Sequence, residues 1–285
     1  MILPDLILPK RANQHWQYTG MDHPAKCLNK NHFLSYAHDI NYDYNSRGFR
    51  DTEWPADLSE LKHAVWCIGD SFTAGIGSPV QFTWPQRLSV AINKRTINVS
   101  MDGASNEWIA RIAQRIIFAV DPVHMIIMWS HTHRREHSNT LLDDEQRRIQ
   151  FTKTTVQEDL DNLLACKQQV DSVARHVVNF AIPGVHHNVM TSVTECWNNI
   201  RGPGWPVTAP ATVAEFTALC PDILLEIKDV YKCQDKIQNS LEFEHFLKTQ
   251  HNTMLVQRLD QARDGHHFDK ITADWVAQQA VDCLK

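Results

Sequence analysis

The chain has 285 residues, 43% hydrophobic and 21% charged, with 33 acids against 28 bases for a formal net charge of -5. That length supports a substantial core in one large domain, or a domain with a sizeable insertion. The acidic balance argues against nucleic acid as a partner, because phosphate binding needs a basic footprint.

The chain opens "MILPDLILPKRANQHW". It lacks the basic start of a secretory signal, and Pro4, Asp5 and Pro9 interrupt its apolar residues. No apolar run approaches the roughly 18 residues of a membrane span. A cytoplasmic protein, or one released without a signal peptide, is the expectation. Cysteines 27, 67, 166, 196, 220, 233 and 283 are scattered without a CxxC pair, which predicts reduced thiols that fill core space.

Residues 1–60 are polar, aromatic and irregular, and read as an N-terminal extension packed on a main domain of residues 61–285. The short apolar run "AVWCIG" (64–69) predicts a buried strand. "TWPQRLSVAIN" (83–93) predicts a short helix, and "TINVS" (96–100) a second strand. In "ASNEWIARIAQRIIFAV" (104–120), Trp108, Ile109, Ile112, Ile116, Ile117 and Val120 fall on one helical face. "HMIIMW" (124–129) and "HVVNFAI" (176–182) predict two more strands, with a polar, helix-compatible stretch at about 141–172 between them.

Residues 184–235 include "NIRGPGWPVTAP" and break the rhythm, as a long loop or small lid would. Helical patterning resumes at about 240–262. A last helix over about 270–284 places Ala273, Val276, Ala277, Ala280, Val281 and Leu284 on one side. Strands alternating with helices predict an α/β protein with a parallel sheet covered on both faces.

Only ten glycines occur, yet three of them, Gly69, Gly75 and Gly77, surround Ser71 in "VWCIGDSFTAGIG" (65–77). The serine follows the first strand, and ligands of open parallel sheets bind at the strands' carboxyl ends. A serine nucleophile needs a base, and the base an orienting acid. In "ARDGHHFDKITADW", Asp264 precedes His267 by three residues just before the last helix, with His266 as a competing base.

"GDSFTAG" resembles the first block of the GDSL, or SGNH, hydrolase family, and "DGHHFD" resembles its last block. In that block an aspartate stands three positions before the catalytic histidine, which selects Asp264 and His267. "GFRD" (48–51) and "TWPQRL" are similar to segments of some members. The resemblance spans roughly residues 45–130 and 260–285. It implies a three-layer α/β/α sandwich with a flavodoxin-like parallel sheet, and acyl-ester chemistry without a cofactor.

It further implies an oxyanion hole made of the Ser71 N–H, a glycine N–H matched by Gly103, and an asparagine side chain after the third strand. The chain departs from the family at the last of these. "MWSHTHRRE" has no such asparagine, and His131 or Thr132 falls nearest its place. Loss of one such donor costs roughly 100- to 1,000-fold in turnover.

The leading expectation is a serine esterase acting on a small-molecule or carbohydrate ester, with Ser71 as nucleophile, His267 as base and Asp264 as orienting acid. The alternatives are a carbohydrate-binding or structural protein that kept the fold, and a sugar O-acyltransferase. Asp70 is expected to bond nearby backbone, and Asn98 and Asn106 to serve as turn and cap residues or else to reach the cleft. The pairs Arg134–Arg135 and Arg147–Arg148 read as solvated. The 16 histidines complete no recognisable zinc spacing, so no metal is expected. Trp197 and Trp205 suit either a sugar-stacking lid or the packing of the insertion.

Overall fold

The computed structural model describes residues 6–132, 134–151, 156–182, 252–256 and 259–284. The proposed lid at 184–235, with Trp197, Trp205 and three of the cysteines, lies outside the described residues.

Five parallel strands form the central sheet. They are β3 (Val65–Gly69), β4 (Thr96–Ser100), β5 (His124–Trp129), β8 (Val177–Ala181) and β9 (Thr253–Leu255), in the spatial order β4-β3-β5-β8-β9. The chain thus starts in the sheet's interior, steps to one edge and returns past its own start. This is the doubly wound, flavodoxin-like order, with its switch point between β3 and β5.

The apolar runs form interior strands because both of their faces are covered. Along β3, Trp66 and Ile68 join one apolar cluster while Val65 and Cys67 join the other. Along β5, Met125, Ile127 and Trp129 alternate in the same way with Ile126 and Met128. Helices α4 (Asn106–Val120) and α6 (Val156–Asp171) cover the first face. Helix α3 (Trp84–Ile92) and the last described helix, here α7 (Lys270–Leu284), cover the second. The α/β/α sandwich expected from the sequence is therefore present. All six apolar residues picked out on α4 are buried, as are Ala273, Val276, Ala277 and Ala280 of α7.

The N-terminal segment contributes to the same core. Leu6, Leu8, Phe49, Trp54 and Leu58 belong to the first cluster, and Phe49 stacks on Trp54 with ring centroids 5.0 Å apart. Within that segment, β1 (His15–Trp16) pairs antiparallel with β2 (Tyr42–Asp43), and α1 (Lys30–Ser35) lies between them in sequence.

Two stretches differ from expectation. The region 141–172 is not one helical stretch. A capping box of Asp143 and Gln146 starts the short α5 (Asp144–Arg147). The chain is then pulled into β7 (Gln150–Phe151), which pairs with β6 (Arg134–Arg135), while Arg148 O accepts from Ser105 N at 2.9 Å. The helical patterning read over 240–262 is also corrected where it is described, because residues 253–255 form β9. Backbone pairing with β8, continued by Val256 N donating to Ala181 O at 3.0 Å, outweighs the local pattern.

Ile127 is fully buried at the centre of the sheet. Ile127→Ala should lower the unfolding free energy by about 2–5 kcal/mol, through lost burial and the cavity left behind. Urea unfolding measures this, and a loss well below about 1 kcal/mol would contradict the described packing.

Candidate active site

Ser71 is the first residue of α2 (Ser71–Ala74), immediately beyond β3, and is almost fully buried. Asp70 caps this short helix by accepting from Phe72 N at 3.0 Å, and Gly75 ends it in the left-handed conformation. A side chain at Gly69 would collide with Thr73 Oγ1 and stand 3.0 Å from Met128 O. At Gly77 (φ +80) a Cβ would lie 2.9 Å from Ala262 Cβ and 3.0 Å from Asp264 Oδ1. Two of the glycines around the serine thus admit close neighbours, and Gly77 admits the Asp264 loop.

The loop before α7 brings Asp264 and His267 together. Asp264 Oδ1 accepts from the backbone N–H of His266 at 2.9 Å and of His267 at 3.0 Å, and Asp264 Oδ2 is 2.5 Å from His267 Nδ1. Both side chains are buried. Burial alone would raise the Asp264 carboxyl, but the His267 imidazole and the hydrogen bonds from His267 outweigh it and hold the group at about 2. His267 Nε2 is buried and has no hydrogen-bond partner among the described residues. The imidazole is thus anchored through one nitrogen and presents the other.

The two halves meet at Phe72, the residue after the serine. Its ring centroid lies 4.6 Å from that of His267, 5.7 Å from His266 and 6.0 Å from His131. His266 is more exposed than His267, and its backbone N–H rather than its ring binds Asp264.

The rim beyond β5 holds His131 and Thr132, the two residues read in the sequence as possible oxyanion donors. His131 is buried against Phe72, whereas Thr132 is half-buried and its carbonyl accepts from Arg135 Nη1 at 2.5 Å. Gly103 (φ +76) sits in the loop between β4 and α4, with Arg148 Nε 3.6 Å from where a Cβ would stand.

Several roles differ from those read in the sequence. Asp70 is more than a local cap, because Asp70 Oδ2 accepts from Ser130 Oγ at 2.6 Å and from Arg134 Nη1 at 2.8 Å. Burial raises its carboxyl despite the opposing Arg134 charge. The arginine pairs are not solvated, since each guanidinium finds a carboxylate or carbonyl at a half-buried position. Arg135 Nη2 reaches Asp159 Oδ1 at 2.8 Å, Arg147 Nη2 reaches Glu136 Oε2 at 3.4 Å, and Arg148 Nε donates to Asp102 O at 2.9 Å.

Ser105, not Asn106, caps α4. Asn106 instead ties α4 to the end of β5, accepting from Ser130 N at 2.7 Å and donating to Ser130 O at 3.2 Å. Asn98 lies within β4 and donates to Thr73 O at 3.1 Å, bracing the helix that carries Ser71. The sequence offered no signal for these bonds beyond the residue types, because each joins separate elements.

Among the described residues, no cluster of three or more His, Cys, Asp or Glu side chains could hold a metal ion, and no helix is long and apolar enough to cross a membrane. No family model matches the sequence, and no curated protein matches it. Solved structures do resemble it. One is a lipase/acylhydrolase from Enterococcus faecalis, at 16% identity over 77% of this chain and 94% of that one, with a TM-score of 0.39. Another is a member of the lipolytic protein G-D-S-L family from Veillonella parvula, at 12% identity over 77% and 97%, with a TM-score of 0.40. A third is a carbohydrate esterase family 2 enzyme from Corynascus thermopiles, at 13% identity over 78% and 67%, with a TM-score of 0.37.

The depressed Asp264 carboxyl has a consequence for stability. A carboxyl held below its unfolded value stabilises the fold above that value, and the contribution disappears as pH falls through about 2. Asp51 and Asp70, raised by burial, act in the opposite sense. Comparison with Asp264→Asn cancels them. The stability advantage of the wild type over Asp264→Asn should shrink by about 2 kcal/mol between about pH 5 and pH 2. Urea unfolding at each pH measures it, and a constant gap would contradict the depressed Asp264 carboxyl.

Proposed function

We propose that the chain is a serine-dependent hydrolase of carboxylic esters, with Ser71 as nucleophile, His267 as general base and Asp264 as the residue that orients it. The observation carrying this reading is the His267 ring, held by Asp264 through Nδ1 and unpartnered at a buried Nε2, beside the turn that bears Ser71. Catalytic hydrogen bonds of a free enzyme often tighten only when substrate binds.

In this mechanism Ser71 Oγ attacks the ester carbonyl while His267 Nε2 takes its proton. Asp264, kept ionised, fixes the tautomer and stabilises the imidazolium. The tetrahedral oxyanion accepts from the Ser71 N–H, which opens α2 and lacks an intrahelical acceptor, and from the Gly103 N–H. Collapse breaks the carbonyl–alkoxy bond, and the departing alcohol takes the proton from Nε2. Water then attacks the acyl-serine with the same base, releasing the acid and restoring Ser71. His131, buried against Phe72, stands in for the family's asparagine as third donor. No cofactor enters these steps. The substrate class is a small-molecule or carbohydrate ester.

Turnover of acetyl, butyryl and longer p-nitrophenyl esters tests the assignment. Ser71→Ala and His267→Ala should each lower kcat by roughly 10,000-fold or more while circular dichroism stays native. His266→Ala should retain most of the activity. If His266→Ala abolishes turnover and His267→Ala spares it, the base is misassigned.

His131→Ala should cost about 100-fold in kcat, with a much smaller rise in KM, because the donor acts mainly in the transition state. Equal kcat in the two proteins would remove His131 from the oxyanion hole.

A further inference from the structure

The loop that carries Asp264 and His267 is held largely by residues 18–42 of the N-terminal segment, which precede the part of the chain resembling a known family. Leu28 N donates to Asp264 O at 3.0 Å. His32 Nε2 lies 2.9 Å from Ala262 O, and Tyr36 OH donates to Asp269 Oδ2 at 2.6 Å. At the centre of this contact is a closed circuit of hydrogen bonds. Arg263 grips Asp22 with Nε on Oδ1 at 2.8 Å and Nη2 on Oδ2 at 2.6 Å. Tyr42 OH donates to Asp22 Oδ2 at 2.5 Å and accepts from Gly77 N at 2.8 Å, and Gly77 O accepts from Arg263 N at 2.8 Å.

We propose that Asp22 and Tyr42 are positioning residues for the catalytic pair, fixing the loop of Asp264 and His267 against the turn that follows Ser71. The inference rests on the hydrolase reading above. The circuit joins the two pieces of chain whose relative placement decides whether His267 Nε2 faces Ser71 Oγ. Gly77 follows the serine's helix and leaves the space a side chain would take from Asp264, while Arg263 immediately precedes Asp264.

The circuit is built to stay closed. Asp22 and Tyr42 are fully buried, and the Arg263 guanidinium lies over the Phe33 ring at 4.8 Å and the Tyr18 ring at 5.4 Å from their centroids. Burial, reinforced by Asp22, pushes the Tyr42 phenol well above its ordinary value, so it remains an O–H donor to the carboxylate. A bidentate guanidinium–carboxylate pair with a third donor has little freedom of rotation. Nothing in the circuit touches the reacting atoms. Its effect must appear as geometry, through the alignment that sets the rate of attack.

The test uses the full chain as wild type, Asp22→Asn, Tyr42→Phe and Asp22→Glu. It reads p-nitrophenyl acetate kinetics, circular dichroism, and the downfield proton resonance of His267 Nδ1–H. Asp22→Asn and Tyr42→Phe should lower kcat roughly 10- to 100-fold with KM changed by less than about twofold. Both should shift or broaden the resonance at temperatures where they remain folded. Asp22→Glu, which keeps a carboxylate, should recover part of kcat. Folded variants with wild-type kcat and an unchanged resonance would overturn the proposal. So would a loss that merely tracks the unfolded fraction. If Asp22→Asn does not fold, Tyr42→Phe, which removes a single hydroxyl, carries the same test. If the wild type hydrolyses no ester and takes up no fluorophosphonate, the hydrolase reading fails, and the resonance alone decides. Its change in the variants would still support positioning, and its retention would overturn it.

Discussion

The Asp264 carboxylate is the constraint around which the site is arranged. It accepts three hydrogen bonds from two consecutive histidines, and only one of those bonds involves a ring. Two backbone donors on one oxygen fix the carboxylate plane, which in turn fixes the His267 ring. An ionised carboxylate in the interior is expensive unless its lone pairs are matched. Here the matching is complete enough to hold the group at about 2 despite burial. The absence of a side chain at Gly77 makes room for it, so the glycines near Ser71 and the acid near the C-terminus form one arrangement.

A second buried acid shapes the serine's side of the site by a different balance. Asp70 caps α2 and binds Ser130 and Arg134, yet burial still raises its carboxyl. It links the ends of β3 and β5, the strands that flank the topological switch point. Asn106 adds a third tie, from α4 to the same Ser130 backbone. The ends of β3 and β5 are therefore braced by buried polar groups bonded to one another, which costs less than leaving them all unpaired, although Arg134 Nε is buried without a hydrogen-bond partner among the described residues.

Most of the sheet was legible in the sequence because its strands are short apolar runs bounded by turns. Four of the five follow directly from composition, and the α4 stripe follows from its spacing. β9 did not, because three residues carry too little pattern and pairing with β8 decides their state. The Asp264–His267 pair was legible through the resemblance of "DGHHFD" to a family's last block, because the local residues alone left His266 as a competing base. The Asp22–Arg263 pair spans 241 positions, and no local pattern marks it. Arg134 and Arg135 look solvated as a pair of neighbouring charges, and only the tertiary structure supplies Asp70 and Asp159 as partners.

The central claim is that the Ser71 hydroxyl is activated by His267 and faces two backbone donors. A crystal structure of the protein treated with an alkyl fluorophosphonate tests it most directly. The account predicts phosphorus bonded to Ser71 Oγ, its phosphoryl oxygen about 3 Å from the Ser71 and Gly103 N–H groups, and His267 Nε2 turned toward the adduct. An unmodified Ser71, or an adduct on another side chain, would contradict it.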